Sequence, residues 1–166
     1  MTHHCSNCGQ SARKVRGNYL FRESGLKNVV LKNIEIVRCA HCGNEDPIIA
    51  KMNELLRVLA IAVVGKPFGL TGEEVRFLRK YLQMSGDTFA SWLHTDKTTV
   101  SKWENDQIKI GAQSDRLIRA IVLGMGSGLR PEVEHGVRNF PNIADKAEAV
   151  GVELNPADLS FAYAAS

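Results

Sequence analysis

Apolar positions along the chain change their spacing near residue 46. In residues 1–46 they come as short runs rich in β-branched and aromatic types, and these predict strands. The candidates are 13–16, 18–22 with Tyr19, Leu20 and Phe21, then 29–31 and 34–37, with a turn at Ser24-Gly25. Helical spacing then takes over. Asp46 as N-cap and Pro47 at the first helical position predict a helix carrying Ile48, Met52, Leu55, Leu56 and Leu59. It stops near Gly65, and Gly65-Lys66-Pro67-Phe68-Gly69 reads as a linker.

Four more helices follow. Thr71 caps the first, with Glu73 and Glu74 in its opening turn and Val75, Leu78, Tyr81 and Leu82 on one face. Ser85 caps a short helix holding Phe89, Ala90 and Leu93. Asp96 caps another holding Val100 and Trp103. The fourth spans about 114–123 with Leu117, Ile118, Ile121 and Val122, ended by Gly124 and Gly126-Ser127-Gly128. In the tail, Asn155-Pro156-Ala157-Asp158 predicts a helix start, and Ile143, Ala147 and Val150 have helical spacing. The division expected is 1–46, 47–70 (helix and linker), 71–124 and an unassigned extension, 125–166.

Charge sharpens this division. The 166 residues carry a net +3, too mild to prove or exclude a nucleic-acid partner. The basic excess lies ahead of residue 124, and residues 124–166 are net −3. No apolar run approaches the roughly 20 residues of a membrane span, and the amino terminus lacks signal-peptide form. A cytoplasmic protein with no membrane association is expected, in a compartment where thiols stay reduced.

Cysteine spacing supplies the first chemistry. Cys5-x-x-Cys8-Gly9 and Cys39-x-x-Cys42-Gly43 are matched knuckles. Two intervening residues let both sulfurs face one ion, and the following glycine permits a turn at positive φ. Four thiolates are the tetrahedral set of a closed, structural zinc site, and metal binding is expected to fold this small segment. Iron takes the same ligands, and metal analysis separates the two. Disulfides and a thiol-dependent enzyme fit the matched pair less well. His3, His4 and His41 read as exposed neighbours rather than ligands.

The second chemistry lies in 85–105. Ala90 and Val100 are the small and apolar residues that a closely crossing helix pair needs, with Leu93 and Trp103 as further core. The second helix of the pair would present Lys97, Thr98, Ser101 and Lys102 outward, polar as a groove-entering helix should be. The bland alternative is a helical hairpin with a solvated basic face.

This pattern resembles phage-repressor-like (Xre-type) helix-turn-helix domains. That resemblance implies a buried ion pair between Arg79 and Glu104. Together with the double knuckle, residues 5–123 resemble the YgiT/MqsA family of zinc-finger antitoxins and related regulators. The family implies a zinc domain that binds a ribonuclease toxin and a dimeric domain that represses its own operon. Its base-reading Asn and Arg correspond to Thr98 and Lys102, so the operator sequence does not carry over. The usual turn glycine is His94, and the usual glutamine opening the first helix of the pair is Gly86.

The expected fold is α+β, a β-rich zinc ribbon followed by an all-α helix-turn-helix domain. The expected function is a dimeric, sequence-specific DNA-binding regulator on a pseudo-palindromic operator, with a toxin protein as second partner. A stand-alone zinc-containing repressor is the alternative. No nucleophile elbow, phosphate loop or H-E-x-x-H motif points to an enzyme.

Overall fold

The computed structural model describes residues 3–125 and 143–164. It is a mixed α/β structure, with five helices among the described residues. In chain order the elements are β1 (His3–His4), β2 (Ser11–Leu20), β3 (Val29–Cys39), β4 (Glu45–Ile48), α1 (Met52–Gly65), β5 (Phe68–Gly69) and α2 (Gly72–Tyr81). Then come α3 (Gly86–Trp92), α4 (Lys97–Glu104), α5 (Ala112–Met125), β6 (Ala144–Ala147), β7 (Val152–Asn155) and β8 (Ser160–Tyr163).

The short runs seen in sequence merge into two long strands. β2 and β3 pair antiparallel from Ala12↔Cys39 to Leu20↔Val30, with an irregularity between Gly17 and Tyr19. Opposite it Asn33 adopts φ 52° and donates its N–H to Asn18 Oδ1. The extra residue resets the period-2 alternation, so Val29 and Leu31 share the buried face with Ile34 and Ile36. A strict alternation rule breaks this strand in two.

Asp46 and Pro47 do not open a helix. They lie in β4, where Pro47 pairs with Ile36 and Asp46 accepts from Ser6 Oγ (2.7 Å) and Asn44 Nδ2 (3.0 Å). Proline is tolerated in such a short edge strand because no ladder bond needs its missing N–H. Helix α1 begins six residues after Asp46, at Met52, and ends at Gly65. The tail also departs from expectation. β7 adds parallel to β3 (Val29↔Val152, Leu31↔Leu154), and β8 folds back on it. Asn155 and Asp158 accept bonds from Ala157 N–H and Ser160 N–H, so the polar run is a hairpin turn. Ile143 is buried and Ala147 lies in β6, paired parallel with β5. The Gly126-Ser127-Gly128 stop lies outside the described residues, and α5 runs through Gly124 to Met125.

The predicted caps at Thr71, Ser85 and Asp96 are all in place. Glu74 accepts from Thr71 N–H (2.7 Å), Ser85 Oγ from Thr88 N–H and Asp96 Oδ1 from Thr99 N–H. α2, α3 and α4 end alike. Gln83, His94 and Asp106 take φ of 56°, 51° and 53°, and each following N–H bonds the carbonyl five residues back. That is the Schellman closure, made here without glycine.

One apolar core joins sheet and helices: Val29, Leu31, Ile34 and Ile36 belong with Leu55, Leu59 and Val63 of α1 and with Val75, Leu78, Phe89 and Val100. The segment 1–46 is therefore not folded by metal alone.

The segment 65–70 is tied down by buried charge. Arg119 is fully buried, and its guanidinium donates to Asp115 Oδ1 (2.7 Å) and to the carbonyls of Val64, Lys66 and Phe68 (2.6, 3.1 and 2.6 Å). Asp115 Oδ2 accepts from Leu70 N–H (2.6 Å). Lys66 Nζ meets Glu74 Oε2 at 2.6 Å and the Glu148 carbonyl at 2.5 Å. Burial pushes the Lys66 ammonium down and the Glu74 carboxyl up from their ordinary values. Arg119→Leu leaves the buried Asp115 without its cation and three carbonyls without this donor, and is expected to destabilise the fold by about 3–5 kcal/mol in urea unfolding. A loss of less than about 1 kcal/mol would show that water replaces the guanidinium freely.

Candidate metal centre and exposed helix face

The four cysteines converge at one end of the β2–β3 pair. All four Sγ atoms lie within 4.8 Å of one another. Cys5 and Cys42 sulfurs are 3.5 Å apart, and those of Cys8 and Cys39 are 3.6 Å apart. Disulfide sulfurs sit about 2.05 Å apart, so these are free thiols. A tetrahedron with metal–sulfur bonds of about 2.3 Å has edges of about 3.8 Å, close to what is found. The group could therefore hold a metal ion, and zinc is consistent with it.

The two knuckles are built alike. Cys5 N–H bonds the Gln10 carbonyl and Gly9 N–H the Cys5 carbonyl. Cys39 N–H bonds the Asn44 carbonyl and Gly43 N–H the Cys39 carbonyl. Gly9 and Gly43 have φ of 70° and 72°, with open space where a Cβ would be, so conformation rather than room requires glycine. Asn7 Nδ2 reaches Cys42 Sγ at 3.7 Å. Without a metal, the Cys42 thiol is pulled down to about 6, first by its backbone hydrogen bond with Asn44 and then by Asn7. For Cys8 the bond with Gln10 favours the thiolate, but burial and the neighbouring thiols outweigh it and push the group up to about 12. Asn7, Asn44, Ser6 and Asp46 brace the cluster, and spacing alone does not single them out.

Helices α2, α3 and α4 carry the second group of residues expected from sequence. Phe89, Ala90, Leu93, Val100 and Trp103 are buried together. Gly72 lets α2 approach α4: a Cβ there would lie 2.4 Å from the Trp103 carbonyl oxygen. Its N–H bonds Asp106 Oδ1 at 2.8 Å, which gives the aspartate that closes α4 a second task. Arg79 and Glu104 meet in a two-point pair, Nε–Oε1 at 2.6 Å and Nη2–Oε2 at 3.1 Å. Their side chains keep 17% and 10% of their exposure. The Glu104 hydrogen bond holds the Arg79 guanidinium above its ordinary value, and Nη1 also bonds the Met84 carbonyl. Arg76, one turn earlier on α2, was not singled out in sequence. It bonds the Glu104 carbonyl and Asn105 Oδ1, both at 2.8 Å.

With Val100, Trp103 and Glu104 anchored, α4 turns Lys97, Thr98, Ser101 and Lys102 to solvent. Asn105 caps the far end, donating to the Ser101 carbonyl. The Asp96 carboxyl, bonded first by the Thr99 hydroxyl and then by its N–H, is held below its usual value. Lys97 Nζ lies 2.8 Å from Asp87 Oδ2 on α3. No helix among the described residues is long and apolar enough to cross a membrane.

No family model, curated protein or solved structure matches the chain.

Arg79→Ala is expected to cost about 2–4 kcal/mol. That is less than for a fully buried pair, because Arg76 stays beside Glu104 and part of the site is wet. Chemical denaturation of the variant, with α-helical ellipticity as readout, checks it. An unchanged midpoint would show that Val100 and Trp103 suffice to hold α4.

Proposed function

We propose that the chain is a sequence-specific DNA-binding transcriptional regulator that carries a structural zinc ion. In this reading α3 and α4 are the helix-turn-helix and α4 is the recognition helix. One observation carries it. The outward face of α4 holds Thr98, Ser101 and Lys102 with Lys97 beside them, while its other face is fixed by apolar packing and the Arg79–Glu104 pair. A groove-reading helix needs this combination of a polar tip and an immobile base. Lys102 can donate to guanine O6 and N7, and Thr98 offers a methyl for thymine or a hydroxyl for a polar edge.

A homodimer belongs to the proposal, because two copies set two recognition helices about 34 Å apart on a pseudo-palindrome. Exposed Leu117 and Met125, in one stripe with Ile121 on α5, support self-association. Zinc bound by Cys5, Cys8, Cys39 and Cys42 would crosslink the two knuckles and leave no open position for catalysis. The resemblance to zinc-finger antitoxins adds a toxin as partner of the zinc-bearing end, with autoregulation as the purpose of DNA binding.

Fluorescence anisotropy with the DNA upstream of the gene tests the reading. At fixed salt the protein is expected to bind it at least about 10³-fold more tightly than a scrambled duplex. Lys102→Ala should lose about 1–3 kcal/mol on the specific duplex and relax one base position. Equal affinity for both duplexes contradicts sequence-specific regulation. Elemental analysis of the purified protein should give one zinc per chain, and iron or no metal would contradict that part.

A further inference from the structure

Lys97 differs from its neighbours on α4. At about 100° per residue, Thr98 and Lys102 lie opposite the buried Val100 and Trp103, whereas Lys97 lies on the shoulder beside Glu104. Its stem leaves α4 and crosses to α3. A Cβ built on Gly86 would come 3.6 Å from Lys97 Cγ and 3.7 Å from Cε, so the stem lies along the track that the glycine leaves bare. Its ammonium ends 2.8 Å from Asp87 Oδ2. Both side chains are about two-thirds exposed, at 65% and 68%. An ion pair so solvated adds little to stability, so its effect lies in where it holds the charge.

We propose that Lys97 contacts a DNA phosphate rather than a base, and that Asp87 is the positioning residue that holds its ammonium over α3 until DNA displaces the carboxylate. The assignment rests on the DNA reading above and deepens it. A helix lying in the major groove has its shoulders over the phosphate backbones, and the helix before it crosses one of them. A lysine bent from the shoulder toward that preceding helix reaches a phosphate and points away from the base edges. On binding, Lys97 exchanges a carboxylate for a phosphate oxygen and Asp87 is left beside like charge. Asp87 therefore lowers affinity for every duplex and carries no sequence information. Gly86 lies beneath the same lysine stem, close enough that a Cβ there would be in ordinary contact with it. Phosphate contact at this corner is supplied from α4 across the glycine.

The test is anisotropy of the full chain on the upstream duplex and on its scrambled counterpart, between 50 and 200 mM KCl, with thermal melts to verify folding. Lys97→Ala is expected to weaken binding to both duplexes by the same factor and to lower the slope of log K against log salt by about 1. Asp87→Asn is expected to tighten both by a common factor and steepen the slope, because the lysine then meets phosphate without first leaving a carboxylate. A change of preference at one base pair in Lys97→Ala with the slope unmoved overturns the assignment and makes Lys97 a base reader. An Asp87→Asn protein with wild-type affinity and slope overturns the positioning role. Wild-type protein that binds neither duplex overturns the DNA reading itself, and this assignment falls with it.

Discussion

A fully buried guanidinium organises this molecule. Arg119 gathers the carbonyls of Val64, Lys66 and Phe68 and the carboxylate of Asp115, which in turn holds Leu70 N–H. Taking an arginine out of water costs several kcal/mol, and only a full set of acceptors offsets that. The segment leaving α1 must therefore follow one path, with its carbonyls aimed at α5. Lys66 repeats the logic with Glu74, the residue that also closes the capping box of α2. The peptide between α1 and α2 thus acts as a rigid joint, and it fixes how the sheet-packed helix meets the helices that carry the α4 face.

Two cohesive regions result, and they differ in kind. The large core runs from Val29 and Ile36 in β3 through α1 to Phe89 and Val100. The cysteine end has only Cys5, Ala12 and Cys39 as its buried core, with Cys8 and Val37 against it. Apolar packing is thin there, and the four converging thiols could hold an ion that crosslinks the two knuckles. The rest of the β2–β3 pair is anchored independently. In the proposed function this separates the two sites: α4 is held by apolar packing and the Arg79–Glu104 pair, remote in sequence from the cysteines.

Local chemistry was legible in the sequence. The Cys-x-x-Cys-Gly knuckles and the caps at Thr71, Ser85 and Asp96 each depend on residues within one turn, so spacing alone locates them. Arg79 and Glu104 came from the family resemblance. What was missed depends on partners far along the chain. Asp46-Pro47 is as good a helix start as an edge strand until Ile36 is known to lie beside it. Asn155 and Asp158 cap helices or close hairpin turns equally well, and pairing of β7 with β3 decides. Lys66 looks like a surface charge at the end of a helix and Arg119 like one on a helix face, because nothing nearby in sequence announces Glu74 or three converging carbonyls. The bulge at Asn33 hid one strand as two.

The proposal comes down to whether one short face of α4 meets DNA. Backbone amide NMR shifts of the full chain, followed as the upstream duplex is added, test this most directly. The account predicts that the largest changes fall on Thr98, Ser101 and Lys102 and on the start of α3, with the outer strands β7 and β8 unmoved. Changes centred on the β2–β3 sheet or on α1, with α4 silent, would contradict it.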